Sequence, residues 1–220
     1  MPKRAVLFDI DGTLVDSNDA HVEAWCRAFA AEGFHFDRAT IHSQVGKGGD
    51  NLVPSLIPDA PEDVQDRVER AHGGIYRRDY LGSVRPFPHA RDLLLKTSEA
   101  EKKVVLASSA SRPELDHYVR LLDADGIIDG ATSKDDVGHS KPCPDIFEAA
   151  LKQAEVPASD AIVVGDTPYD IIAARRTGIE TIAVRSGRFP DSVLEAETPV
   201  AIYEDAADLL ANFESSPIGA

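Results

Sequence analysis

Cysteine is scarce in this chain. Cys26 and Cys143 are the only two in 220 residues, too far apart for a metal-ligand spacing and too few for a disulfide framework. A reducing compartment is therefore expected. Long apolar runs are also missing, and none approaches the ~20 residues that span a bilayer. The basic start Met1-Pro2-Lys3-Arg4 is like the head of a signal peptide, but the apolar run behind it stops at Asp9. A cytoplasmic location is expected. Positive charge is short as well: 23 Lys+Arg stand against 38 Asp+Glu, a net charge of −15. Such a surface repels phosphate backbones and anionic membranes, so neither nucleic acid nor membrane is an expected partner. A phosphorylated ligand would need a local positive centre. The remaining composition, 43% hydrophobic and 28% charged, excludes a disordered chain. The length is enough to bury a core without staples.

Five short apolar runs lack polar alternation and read as strands buried on both faces. They are Ala5–Phe8, Val104–Ala107, Ala161–Val164, Thr181–Val184 and 199–203. Helical patterns separate the later ones. Ser111-Arg112-Pro113-Glu114 forms a capping box ahead of Leu115, Val119 and Leu122. Pro144 opens a second helix with Ile146, Phe147, Ala150, Leu151 and Ala154 inward. Thr167-Pro168 opens a third that Gly178 closes. Alternating strands and helices predict an α/β fold, a Rossmann-like parallel sheet covered on both faces in three layers. Residues 16–82 break the rhythm. Val22, Trp25, Cys26, Phe29 and Ala30 form one helical stripe; Val64, Val68, Ala71 and Ile75 form another. We expect an all-helical cap at 16–82 inserted into a core of 1–15 and 83–220, with 82–88 as the return linker. The last seven residues, 214–220, are expected to fray.

Ligands of open parallel sheets bind beyond the carboxyl ends of the strands. Three predicted strands end there in polar residues: Asp9-Ile10-Asp11-Gly12-Thr13, Ser108-Ser109, and Gly165-Asp166-Thr167-Pro168-Tyr169-Asp170. Lys141 stands just before a helix, in Ser140-Lys141-Pro142. Four ionised carboxylates (Asp9, Asp11, Asp166, Asp170) and one ammonium leave a charge of −3, which would repel a phosphate dianion. A Mg²⁺ ion reduces this to −1 and aims both positive centres at the phosphate. One carboxylate could then attack phosphorus, while a neighbour, its pKa raised by crowding, serves the leaving oxygen as acid.

These four segments, in this order, resemble the motifs of the haloacid-dehalogenase-like superfamily, and most closely its phosphoglycolate phosphatase and β-phosphoglucomutase branch. The resemblance covers nearly the whole chain, helical insertion included. It implies a phosphoric monoester hydrolase with Asp9 as nucleophile and Asp11 as general acid/base. Asp9, the Asp11 carbonyl and Asp166 would hold Mg²⁺, with Asp170 ligating or supporting it. Ser108, Ser109 and Lys141 would bind the phosphoryl group. The presence of Asp11 favours phosphate esters, because dehalogenases of the superfamily lack that second acid. The implied substrate is a small phosphorylated metabolite, such as a sugar phosphate or phosphoglycolate, and the implied state a monomer or homodimer.

Plainer readings stand beside these. Thr167-x-x-Asp170 is also a helix cap. Gly46-Lys47-Gly48-Gly49-Asp50 is either a turn between helices or a substrate-recognition loop, with Lys47 as a substrate contact; it lacks the spacing of a phosphate-binding loop. His21 and Trp25 share a helical face, so they either pack the hinge or bring His21 to substrate. Cys143 reads as filler rather than nucleophile. A sugar-phosphate mutase is the alternative within enzymes. Gly165-Asp166 favours the phosphatase, because mutases of the branch carry Glu-Asp there. A non-catalytic phospho-aspartate signalling or interaction protein is the alternative outside them, although no motif residue is missing.

Overall fold

The computed structural model describes residues 2–219. Its strands are β1 (Ala5–Phe8), β2 (Val15–Asp16), β3 (Arg85–Pro86), β4 (Lys103–Ala107), β5 (Gly130–Thr132), β6 (Ala161–Gly165), β7 (Glu180–Val184) and β8 (Ala201–Tyr203). Its helices are α1 (Asn18–Ala31), α2 (Arg38–His42), α3 (Gly49–Leu56), α4 (Glu62–Asp79), α5 (Ala90–Glu99), α6 (Arg112–Leu121), α7 (Asp145–Ala154), α8 (Pro168–Arg176), α9 (Asp191–Glu195) and α10 (Ala206–Ala211).

Six strands form one parallel sheet in the order β5-β4-β1-β6-β7-β8. Alternate residues serve opposite faces. Val6, Phe8, Val104, Leu106, Ile162 and Val164 pack under Leu93 and Leu94 of α5 and Leu115 of α6. Leu7, Val105 and Val163 pack under Ile146, Phe147 and Ala150 of α7 and Ala173 and Ala174 of α8. Burial on both faces explains why these strands carry no polar alternation. The chain leaves β1 to pair with β4 on one side and β6 on the other, so the sheet's switch point lies at the end of β1.

Helices α1–α4 lie between β2 and β3, which pair antiparallel where the chain leaves and re-enters the core (Val15 opposite Pro86, Asp16 opposite Arg85). They share their own core of Val22, Trp25, Phe29, Ile41, Leu52 and Val68. Two expected stripe residues differ. Ala30 faces solvent and Cys26 is half-buried, while Ala28 fills the interior instead. The stripe turns one position earlier than the simple pattern implies, toward the face that α4 covers. No described helix is long and apolar enough to cross a membrane.

The helix-start signals hold. Ser111 and Glu114 form a reciprocal capping box on α6, Pro144 occupies the N-cap of α7, and Thr167 with Asp170 caps α8. Gly178 takes φ +77° just past α8, a left-handed conformation that favours glycine. The short edge strand β5 has no apolar run to announce it. β8 starts at Ala201 rather than residue 199, because Pro199 has no N–H to donate.

The C-terminal tail corrects another expectation. Residues 214–219 are tied down rather than frayed: Ser216 and Ile218 are fully buried, and Ile218 joins Phe213 in the sheet core (Ala220 lies outside the described residues). Ile218→Ala is therefore expected to cost about 2–5 kcal/mol in urea unfolding, as for other large-to-small core changes. A frayed tail would show no change.

Candidate active site

The loop after β1 is held by the sheet and by its own turn. The Asp9 amide donates to the Val164 carbonyl at 2.9 Å, and the Leu14 and Val15 amides both donate to Ile10. Gly12, at φ +79°, brings backbone so close to Asp166 and Asn18 that a Cβ would collide with both. Two strand ends (β1 and β6), the first turn of α8 and the loop before α7 therefore place Asp9, Asp166, Asp170 and Lys141 together, all buried. The Lys141 ammonium donates to Asp9 Oδ1 and lies 2.6 Å from Asp170 Oδ1. Burial alone would lower its pKa, but the carboxylates of Asp170 and Asp9 hold it above the usual lysine range. Burial pushes Asp9 up to about 7; Lys141 opposes this, while Asp170 and Asp11 add to it. Asp166 is raised well above the carboxylate range by burial and by Asp9 and Asp170, with only neutral donors at hand. Thr13 Oγ1 donates to it at 2.9 Å and Asn18 Nδ2 at 2.9 Å.

Asp170 caps α8 and faces the cluster at once. Its Oδ2 accepts from the Thr167 amide (3.1 Å) and hydroxyl (2.6 Å) as a helix cap, while its Oδ1 faces Lys141. Asp9, Asp166 and Asp170 each offer a carboxylate oxygen within 4.8 Å of the others'. Three buried carboxylates against one ammonium leave a net −2, and hard oxygen donors of this kind fit Mg²⁺. The donor set thus matches the ion that the motifs imply.

Asp11 departs from expectation in its pKa alone. Its carboxylate stands outside that cluster, where the motifs expected only its backbone carbonyl to reach a metal. Its Oδ1 accepts from Ser17 Oγ (2.6 Å) and Tyr118 OH (2.7 Å), and His21 Nε2 lies 3.1 Å away. Its pKa is lowered, not raised. Burial pushes it up, but His21, Ser17 and Tyr118 outweigh that.

His21 serves packing and site at once. It stacks on Tyr76 at 3.8 Å, and its Nδ1 lies 3.2 Å from His72 Nε2; His72 in turn stacks on Trp25 at 3.7 Å. The Ser108 hydroxyl accepts from the Ala110 amide (3.0 Å), which leaves its own hydrogen to donate, and Ser109 lines the cavity beside Asp9 with its buried hydroxyl unpaired. The glycine loop lies flat on the core. A Cβ on Gly46 would strike Thr167, and one on Gly48 would strike Ser140. Asp50 and Asn51 also bind the backbone of Ser140 at 3.0 Å each. Lys47 reaches the cavity wall, but its ammonium is held by Gln44 (2.5 Å) and Ser55 (3.0 Å). The cavity that these residues line is about 90 Å³. Asn18, His72 and Tyr118 were not singled out in the sequence; each arrives from a separate helix, and only the four-residue spacing of His72 and Tyr76 could have hinted at a shared face.

Known proteins share this architecture. A hydrolase of solved structure from Pseudomonas syringae superposes with a TM-score of 0.91 at 30% identity, over 97% of this chain and 99% of that one. Pyrophosphatase PpaX of Oceanobacillus iheyensis is 26% identical over 212 residues, 96% of each chain. Validoxylamine A 7′-phosphate phosphatase of Streptomyces hygroscopicus is 26% identical over 195 residues, 88% of this chain and 91% of its own. Residues 6–184, which carry every acid of the cluster and Lys141, match the haloacid dehalogenase-like hydrolases, and the chain belongs to that family.

Proposed function

We propose that this protein is a Mg²⁺-dependent phosphatase of small phosphorylated metabolites, working through an aspartyl-phosphate on Asp9. The observation that carries this is the single cavity in which Asp9, gripped by Lys141, faces Asp11. The names of the phosphatase and pyrophosphatase relatives agree with it. A Mg²⁺ held by Asp9, Asp166, Asp170 and the Asp11 carbonyl would supply charge neutralisation for the phosphoryl oxygens.

The chain's own groups do the rest. Lys141 fixes Asp9 Oδ1 and adds positive charge where phosphoryl charge develops. The buried Ser109 hydroxyl is free to donate to a phosphoryl oxygen. All the donors to Asp11 converge on Oδ1, which leaves Oδ2 to take a proton from the attacking water, as its lowered pKa suits, and to return it to the leaving oxygen of the next ester. Helices α1–α4, proposed as a cap over 16–82, exclude bulk water and select the leaving group through the 46–50 loop. Both cysteines are free, in keeping with a reducing cytoplasm.

A phosphate-release screen over sugar phosphates, phosphoglycolate, nucleotides and pyrophosphate tests the reading. Multiple turnovers with Mg²⁺, lost in EDTA and restored by added Mg²⁺, are expected. Isomerised sugar phosphate without free phosphate would make the protein a mutase. Absence of turnover on every substrate would leave a signalling or interaction role.

A further inference from the structure

Ser17 and Asn18 open α1, and both are residue types whose side-chain oxygens cap helices. Neither caps this one. Ser17 makes no side-chain cap bond and turns its hydroxyl to Asp11 Oδ1 at 2.6 Å. Asn18 reaches from α1 to the end of β6, where its Nδ2 donates to Asp166 Oδ2 at 2.9 Å. Two glycines pack around that contact. A Cβ on Gly12 would strike both side chains, and one on Gly187 would strike Asp166. Chemistry fixes the amide's orientation, because the reverse would set its oxygen against a carboxylate. Its other end, Oδ1, is therefore an acceptor, buried and without a partner among the described residues. Asn18 as a whole is 6% exposed. An acceptor left unpaired in the interior costs free energy, and native folds rarely keep one that no water or ion completes.

We propose, resting on the Mg²⁺-dependent reading above, that Asn18 is a positioning residue of the cation site that does not itself ligate the ion. Its Nδ2 holds Asp166 in place as a ligand, and its Oδ1 accepts a hydrogen from a water that the ion carries in. The two needs match. Mg²⁺ gives up its waters reluctantly and keeps several when carboxylates bind it, so each bound ion brings O–H donors into a buried site. Asn18 supplies a donor to the ligand and an unused carbonyl oxygen from one planar group, so a single side chain serves both. Partners of a ligating carboxylate fix its orientation, and losing one typically weakens metal binding 10–100-fold. Asn18 is also the first residue of α1, so an ion seated on Asp166 ties the start of that helix to the sheet.

Calorimetric titration with Mg²⁺ alone tests this. Asn18→Leu keeps the size and branching of the side chain and removes both polar ends. Its Mg²⁺ dissociation constant is expected to exceed the parent's by roughly 10–100-fold. Unfolding gives a second readout. The gain in urea stability between EDTA and excess Mg²⁺ should shrink by about 1.4–2.8 kcal/mol, which is that fold-change converted at 1.4 kcal/mol per tenfold. A purely structural role would lower the midpoint in EDTA and in Mg²⁺ alike and leave the dissociation constant unmoved. That result would overturn the inference and leave the Mg²⁺-dependent phosphatase standing. A parent that takes up no Mg²⁺ would take down both. Asn18→Ala, which opens the position rather than filling it with hydrocarbon, carries the same prediction should the leucine variant not fold.

Discussion

Asp9→Asn is expected to abolish phosphate release, by roughly 10⁴–10⁶-fold in kcat, the scale on which loss of a nucleophile registers in enzymes that work covalently. The amide keeps the shape of the side chain but cannot take a phosphoryl group. Stability should not suffer. Asp9 is one of three carboxylates crowded into a buried cluster, and burial already raises it to about 7. Removing its charge relieves that crowding, and Lys141 retains Asp170 at 2.6 Å. Urea unfolding of the metal-free variant at pH 8 should therefore match or exceed the parent. A variant that hydrolyses at the parent's rate would exclude Asp9 as the nucleophile. One that is inactive only because it unfolds would show a lowered midpoint instead.

The sheet was legible because a strand buried on both faces must be apolar throughout, and Val104, Val163 and Ile182 sit in such runs. The acids were legible because a carboxylate that ends an apolar run falls at the ligand-binding edge. β5 and the tail were not. Gly130-Ala131-Thr132 has no apolar run to mark its pairing, and Ile218 is a single apolar residue whose burial depends on Phe213 folding back. The reversed shift of Asp11 shows the same limit in the site. Crowding among acids can be counted along the chain. The three donors that meet on one oxygen of Asp11 come from the 9–17 loop, α1 and α6, and only the folded packing brings them together.

Lys141→Met should strongly destabilise the folded protein without metal. The ammonium is the only cation hydrogen-bonded to Asp9 or paired with Asp170 among the described residues, and it is 1% exposed. Removing one partner of a buried ionic network costs about 3–5 kcal/mol, because the remaining charge stays buried and unpaired. The loss should depend on pH in a defined sense. In the parent, Asp9 has a folded pKa of about 7 against 3.8 when unfolded, so the native state binds the extra proton between those values. Its contribution is fully present below pH 3.8 and is lost as pH rises through about 7, so metal-free stability falls over that window. Without Lys141 nothing opposes the rise, and the fall continues past pH 7 where the parent levels off. The deficit of the variant should thus be small at pH 5, widen most above pH 7, and shrink again when Mg²⁺ replaces the lost positive charge at pH 8. Urea midpoints at pH 5 and 8, in EDTA and in Mg²⁺, measure all three. A deficit of equal size at both pH values and indifferent to Mg²⁺ would mean that Lys141 contributes packing alone, and that the acids around it do not form the cation-binding cluster on which the phosphatase chemistry depends.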